Sequence, residues 1–185
     1  MQKNIEAVYT AQSIPDIQKA VNAFERIGEA EKIKWEPFYY ASFGCVMMAN
    51  LEKEAATKDT YLDLALKLIE KANVLQPNDS EITALEGFVH MIRVTVDPAS
   101  RGQQYSGMAF QSFGKAVAIN PENPRALSLL AQMQYGTAQF FGAATTEACS
   151  TLARALEKFD TYKSESVLAP QWGKAMAEGL KSKCN

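Results

Sequence analysis

The sequence predicts an all-α fold assembled from repeated helical hairpins. Three observations lead to this prediction: a small–large–small pattern recurs along the chain, proline follows two of its copies, and no long stretch alternates with period two. The 185 residues are 47% hydrophobic and 22% charged, which is enough apolar material for one continuous core. We therefore expect a single folded domain over residues 1–185.

The recurring pattern places a large side chain four residues after one small residue and three residues before another. Its copies are Ala20-Phe24-Ile27 (with Ile27 in place of the last small residue), Ala65-Ile69-Ala72, Ala109-Phe113-Ala116 and Ala148-Leu152-Ala155. Successive copies begin 45, 44 and 39 residues apart, and Pro77 and Pro121 follow the second and third. Residues at i, i+4 and i+7 share one helix face, where alanine lets a neighbouring helix approach closely. Proline cannot continue a helix, so it ends each unit.

This pattern resembles the second helix of the tetratricopeptide repeat (TPR) family. The family's first-helix pattern is matched by Tyr40, Phe43, Gly44 and Met47. The resemblance covers about residues 14–160 and implies a right-handed solenoid of three to four antiparallel hairpins, as in bacterial TPR-containing proteins. The family's period is about 34 residues, so these repeats are longer than usual. A helical-hairpin solenoid of another family is the alternative.

The repeats are expected near residues 14–33, 36–77, 80–121 and 124–160, and a capping helix over residues 170–184 closes the apolar end of the stack. The helices are predicted over 4–12, 16–33, 36–56, 60–75, 80–94, 104–119, 124–138, 146–159 and 170–184. The expected N-caps are Asp59, Ser80 and Asn123. Residues 97–102 are expected to form a loop. The extra length of each repeat is expected between its first and second helices.

Composition argues against two classes of partner. Nineteen basic and twenty-one acidic residues are scattered along the chain, without the concentrated basic stripe that nucleic acid requires. No apolar run approaches the roughly 20 residues that span a bilayer, so membrane insertion is not expected.

The residues needed for catalysis or for a metal site are sparse. The sole histidine, His90, has only Glu86 as a potential ligand one helical turn away, and two ligands do not close a metal site. Cys45 lies in an apolar helix, where a free cysteine is usually a small buried hydrophobe. No glycine-rich phosphate loop is present. We therefore expect no enzymatic activity, no metal and no cofactor.

Cys149 and Cys184 are candidates for a disulfide. Cys149 lies one turn into its helix and Cys184 ends the following one, so antiparallel packing brings them to similar heights. A disulfide would stabilise the fold by about 3–4 kcal/mol in the chain-entropy model and would imply an oxidising compartment. This favours a periplasmic chain whose leader has been removed. The alternative is two unpaired thiols in a cytoplasmic protein.

The TPR resemblance also implies a partner-binding groove. In that family the first helices line the concave face, and matching positions in this chain are Phe38, Ala41, Cys45, Met48, Glu81, Ala84, Phe88, Met91, Arg125, Ser128, Gln132 and Tyr135. Most of the first eight are apolar, which suits an amphipathic helix or an extended apolar peptide. The same face can instead be filled by the chain's own N-terminal helix, through Ile5, Val8 and Tyr9, or by a second copy of the protein.

The predicted function is therefore non-catalytic binding of a protein or peptide partner. One alternative is a chaperone that masks an apolar segment of a secreted client. Another is a small-molecule or carbohydrate-binding repeat protein that uses Trp35, Tyr39 and Tyr40 or the loop at residues 100–105. The sequence alone leaves these open.

Overall fold

The computed structural model describes residues 1–164 and 166–184 and contains only helices, turns and irregular segments there. In chain order the helices are α1 (Gln2–Thr10), α2 (Ile14–Glu31), α3 (Glu36–Leu51), α4 (Ala55–Leu75), α5 (Ser80–Val96), α6 (Pro98–Ile119), α7 (Pro124–Phe141), α8 (Thr146–Thr161) and α9 (Lys174–Lys181). The predicted all-α repeat solenoid is confirmed.

The helices form two rows. The odd-numbered helices contact one another in sequence from α1 to α9, and we call them the inner row. Each of α2, α4, α6 and α8 packs its backbone closely only against its neighbours in the chain, and we call these helices the outer row. Ion pairs between side chains link α2 to α4 and α4 to α6. Among the described residues no helix is long and apolar enough to cross a membrane.

The recurring alanines are buried at the contacts between helices. Ala65 and Ala72 in α4, and Ala109 and Ala116 in α6, are fully buried together with the large residues between them. Gly87 allows the same close approach in α5. A Cβ at this position would lie 2.5 Å from the Phe113 ring, so only glycine allows α5 and α6 to pack this closely. Close helix approach therefore rests on the residue types that the repeat pattern singled out.

Polar contacts hold the junction between repeats. Asn123 is the N-cap of α7, as predicted, and its side chain accepts hydrogen bonds from the backbone amides of Arg125 and Ala126. Its amide nitrogen donates to Ser80 Oγ (2.9 Å), and that hydroxyl donates to the carbonyl of Ala116 (2.8 Å). One asparagine thereby couples the start of α7 to the start of α5 and the end of α6.

Several predicted boundaries were wrong. Asp79, not Ser80, caps α5, and Asp59 lies inside α4 because that helix begins at Ala55. The expected loop at residues 97–102 is helical: Asp97 caps α6 and Pro98 occupies its first turn, where proline is tolerated. Much of the extra repeat length therefore lies in long second helices, with 21 residues in α4 and 22 in α6.

The predicted capping helix is much shorter than expected. The helix α9 spans only Lys174–Lys181, and Trp172 precedes it in an irregular segment. Gly173 has a φ of +104°, a conformation that favours glycine and separates this segment from α9. Within α9, Ala177 and Leu180 are buried but Ala175 is exposed.

Candidate binding site

The residues predicted to line a groove do not form an open one. Eight of the twelve are buried: Phe38, Ala41, Cys45, Met48, Ala84, Phe88, Arg125 and Ser128. The other four, Glu81, Met91, Gln132 and Tyr135, are half-buried. A partner approaching the chain in this conformation would meet few of them.

Two of these residues face away from the inner side. The Phe38 ring lies beneath Gly28 of α2, where an added Cβ would be 2.7 Å away, and Lys71 Nζ of α4 lies 5.2 Å from its centre. Burial raises the pKa of Cys45 to about 12, with the charge of Glu25 in α2 adding to the effect. Phe38 and Cys45 therefore pack towards the outer row, because α3 is apolar on all sides and is covered on all sides.

The inner face of α3 and α5 is covered by the chain itself. We call residues 162–173, described at 162–164 and 166–173, the strap. Its Trp172 ring stacks on Phe43 (4.8 Å between ring centres) and on Phe88 (5.8 Å), and the indole N–H donates to Tyr39 Oη (3.0 Å). The groove is thus self-filled, although mainly by a C-terminal segment that the sequence did not suggest.

Two further tyrosine hydroxyls hold the backbone of the strap. Tyr40 Oη donates to the carbonyl of Leu168 (2.8 Å), and the backbone N–H of Gln171 donates to Tyr9 Oη (3.2 Å). Tyr9 belongs to α1, whose Ile5 and Val8 are also buried. The N-terminal helix therefore contributes to covering the inner side, as the sequence allowed.

A buried ion pair lies at the other end of the strap. Arg125 of α7 makes two hydrogen bonds of 2.7 Å to the carboxylate of Glu81 in α5, and only 1% of its surface is exposed. Burial alone would lower the pKa of Arg125, but the hydrogen bonds to Glu81 and the negative charge of Glu81 outweigh burial and raise the pKa of Arg125. The guanidinium also lies 4.5 Å from the centre of the Tyr162 ring. Arg125 therefore joins two inner helices and the start of the strap.

The structure joins Cys149 and Cys184 by a disulfide, with their Cα atoms 5.5 Å apart. Cys149 lies in the first turn of α8, and Cys184 lies three residues beyond α9. The bond closes a loop that contains α8, the strap and α9. It thereby fastens the C-terminal end of the solenoid to its last hairpin.

His90 lies in a polar cluster between α5 and its neighbours. Its side chain is buried, and burial followed by the charge of Arg93 lowers its pKa, so it is neutral at pH 7. Its Nε2 is 4.0 Å from the carboxylate of Glu86 and its ring stacks on Tyr105 at 6.2 Å. Arg93 also pairs with Asp63 of α4. Among residues 1–164 and 166–184, no group of three or more potential metal ligands is present.

Exposed aromatic surface is confined to one place. Phe140 and Phe141, at the end of α7, are 75% and 74% exposed, with ring centres 5.0 Å apart and planes at 90°. We call this pair the Phe140–Phe141 corner. Every other aromatic ring in the described part of the chain is buried or half-buried. Sequence reasoning passed over the pair because it lies outside the groove positions that the TPR resemblance supplied.

These features define a TPR-type helical solenoid with a self-filled inner face. No family model and no curated protein sequence matches the chain. Among solved structures it is similar to the HusA haemophore from Porphyromonas gingivalis, with a TM-score of 0.87 and 25% identity over 99% of this chain and 90% of that one. It also resembles a thermophilic TPR protein of Thermus thermophilus, with a TM-score of 0.62 and 18% identity over 77% of this chain and 65% of that one.

The two similarities carry different weight. The likeness to the Thermus protein shows the fold alone. The likeness to the haemophore extends over 99% of this chain, at 25% identity. These findings indicate a binding or interaction function and do not specify the ligand.

Proposed function

We propose that this chain is a non-catalytic carrier that binds a flat, largely apolar tetrapyrrole of the haem class. The observation that supports this most is the similarity to a haemophore over 99% of the chain. The exposed aromatic pair at the end of α7 is a further support, because flat apolar ligands stack on such rings.

The proposed binding relies on contact with the macrocycle. The only histidine in the sequence, His90, is 3% exposed and lies among Glu86, Arg93 and Tyr105. The buried imidazole is not open to an iron atom at the surface in this conformation. Apolar burial of one face of a macrocycle supplies binding free energy without contact to this imidazole.

We also propose that the chain works outside the cytoplasm, in the periplasm or beyond it. The bond between Cys149 and Cys184 supports this, since such bonds persist in oxidising compartments. Intact-mass measurement of protein purified from its native compartment tests the proposal. A reduced pair of thiols in that sample would argue for the cytoplasm.

Absorption titration tests the main proposal. Haemin is added to the purified chain with its disulfide intact, and the Soret band is followed against a blank titration into buffer. We expect a saturable spectral change with a defined stoichiometry, and co-elution of haemin with the protein on gel filtration. A spectrum that matches free haemin at every ratio, with no co-elution, would refute the proposal.

A second candidate is the binding of an extended peptide on the inner face. It is favoured by the way this face already holds the strap, through tyrosine hydroxyl bonds to the backbone at Leu168 and Gln171. A client-masking chaperone would use the same surface. The test compares capture of host proteins by the wild type and by W172A, which weakens the strap. Stronger capture by W172A supports the candidate, and identical capture argues against it. Substitutions of the buried Phe88 or Met48 are unsuitable here because they would damage the core.

A further inference from the structure

The Phe140–Phe141 corner is a built feature rather than a frayed helix end. Gly142 adopts a left-handed conformation with a φ of +64° and ends α7. Its N–H donates to the carbonyl of Gln139 (3.3 Å), and the N–H of Ala143 donates to that of Ala138 (2.8 Å). These bonds satisfy the last carbonyls of the helix and fix how the two rings are presented.

The segment of the sequence that contains Phe140 and Phe141 has no charged residues. Residues 126–146 form a run of 21 without Asp, Glu, Lys, Arg or His. A ligand that covers the two rings therefore removes few charges of this segment from water, which would otherwise oppose binding. Two exposed phenylalanines at the end of an uncharged helix favour an apolar ligand over a charged one.

Two lysines belong to the C-terminal segment that the disulfide anchors at this end of the last hairpin. The end of α7, the start of α8 and residues 182–184 meet there, because the disulfide fixes Cys184 beside Cys149. Lys183 directly precedes Cys184 in the sequence and Lys181 ends α9, and both are exposed. The pKa of Asp160 in α8 is lowered by its hydrogen bond to Lys174, and the charge of Lys181 also contributes to lowering it. The combination is an apolar ledge with nearby cations, which matches a flat ligand that carries carboxylates at its edge.

Other surfaces are less suited to a flat ligand in this conformation. The aromatic side chains of the inner face, Tyr39, Phe43 and Phe88, are already covered by Trp172. The exposed apolar residues Ile33 and Val74 are aliphatic and offer no ring for stacking. In the described part of the chain only Phe140 and Phe141 are aromatic residues that are mostly exposed; the other aromatic rings are buried or half-buried.

We infer that the Phe140–Phe141 corner, with Lys181 and Lys183, is the docking surface for the tetrapyrrole dicarboxylate. The macrocycle stacks on the two phenyl rings, and its carboxylates reach the two lysines. This inference rests on the proposed function. It names a site at the C-terminal end of the solenoid, separate from the strap-filled inner face.

The test titrates haemin into F140S/F141S and into a matched control, I33S/V74S. The control removes two equally exposed apolar side chains, since Ile33 is 79% and Val74 77% exposed. We expect the affinity of F140S/F141S to fall about 100-fold, because contact with each ring contributes on the order of a tenfold factor. The control should stay within about twofold of the wild type. Circular dichroism melts confirm that both variants fold.

A second pair of variants tests the lysines. We expect K181E/K183E to weaken binding about tenfold at low salt and less at high salt, because salt screens exposed charges. The control K34E/K53E makes the same change in net charge at two exposed lysines elsewhere and should have little effect. An equal loss in both variants would overturn the assignment of the carboxylates to Lys181 and Lys183.

The outcomes separate this inference from the proposed function. If the wild type binds haemin and F140S/F141S binds it equally well, the docking surface is wrong while the carrier function stands. If F140S/F141S keeps its haemin affinity and loses only adsorption to lipid vesicles, the corner serves a membrane and the inference is likewise overturned. If the wild type binds no haemin, both are refuted.

Discussion

Removal of the disulfide between Cys149 and Cys184 should have both a global and a local effect. The bond closes a loop with a sequence separation of 35 residues. In the chain-entropy model a loop of this length restricts the unfolded chain by about 4 kcal/mol, so C149A/C184A should lose about that much free energy of unfolding. With a slope of about 2 kcal/mol per molar urea, the midpoint should fall by roughly 2 M.

The local effect follows from the size of α9. This helix has eight residues, too few to be stable alone, and it buries only Ala177 and Leu180. Without the disulfide, α9 should detach more readily and loosen the strap that precedes it. Trp172 reports on this when W35F makes it the sole tryptophan, and its emission should shift to longer wavelength before the far-ultraviolet circular dichroism changes.

The assay has an internal control. Reduction of the wild type should reproduce the unfolding midpoint of C149A/C184A, while the same reductant should leave the variant unchanged. Cys45 is present in both proteins and is buried, so it does not account for a difference. If reduction changes neither the midpoint nor the Trp172 emission, the reasoning is refuted and the bond contributes nothing to holding the C-terminal end.

Three further predictions concern buried groups. R125M should lower the free energy of unfolding by about 3–5 kcal/mol because it leaves the carboxylate of Glu81 buried without its partner. In urea unfolding, E81L/R125M should recover most of that loss, and a larger loss in the double variant would contradict this. G87A should lower the free energy of unfolding by about 1–3 kcal/mol, since its Cβ would overlap the phenyl ring facing it. G136A, with open space around the new Cβ, should raise it by up to about 1 kcal/mol. Similar urea unfolding midpoints for the two variants would contradict the argument that glycine is needed for close helix approach. Burial lowers the pKa of His90, so its contribution to the free energy of unfolding is complete above about pH 6.5 and is lost as the pH falls. The difference in free energy of unfolding between wild type and H90Q should therefore shrink by at most about 1.4 kcal/mol per pH unit. A difference that does not depend on pH would contradict this prediction.

The repeat architecture was predictable because local spacing and global packing agree. Ala65 and Ala72 lie on the same face in any helix. Small residues on both sides of a large one indicate close contact with another helix. The spacing of Cys149 and Cys184 allowed a disulfide or two unpaired thiols, and the structure joins them. Asn123 was identifiable as an N-cap because asparagine is a favoured capping residue and Pro124 and an apolar run follow it.

The strap was not predictable from periodicity. Trp172 appeared to continue a helical face, but the positive φ of Gly173 separates it from α9 and lets the indole turn inwards. One signal was present: residues 37–49 of α3 are apolar on every side, and such a helix is covered on every side. An open groove along that helix was therefore the less consistent interpretation. Asp59 is not a cap because α4 begins four residues earlier, at Ala55. The carboxylate of Asp59 instead accepts a hydrogen bond from Arg101, 42 residues away in the sequence, and no local pattern predicts such a contact.

The disulfide also decides what a protease would leave behind. Lys163 is exposed in the irregular segment after α8, the kind of site where trypsin cuts first. A nick there would leave two pieces still joined covalently through Cys149 and Cys184, so the molecule would run as one species until it is reduced. A protein with this covalent ring can therefore lose the continuity of its backbone and keep its last helix in place.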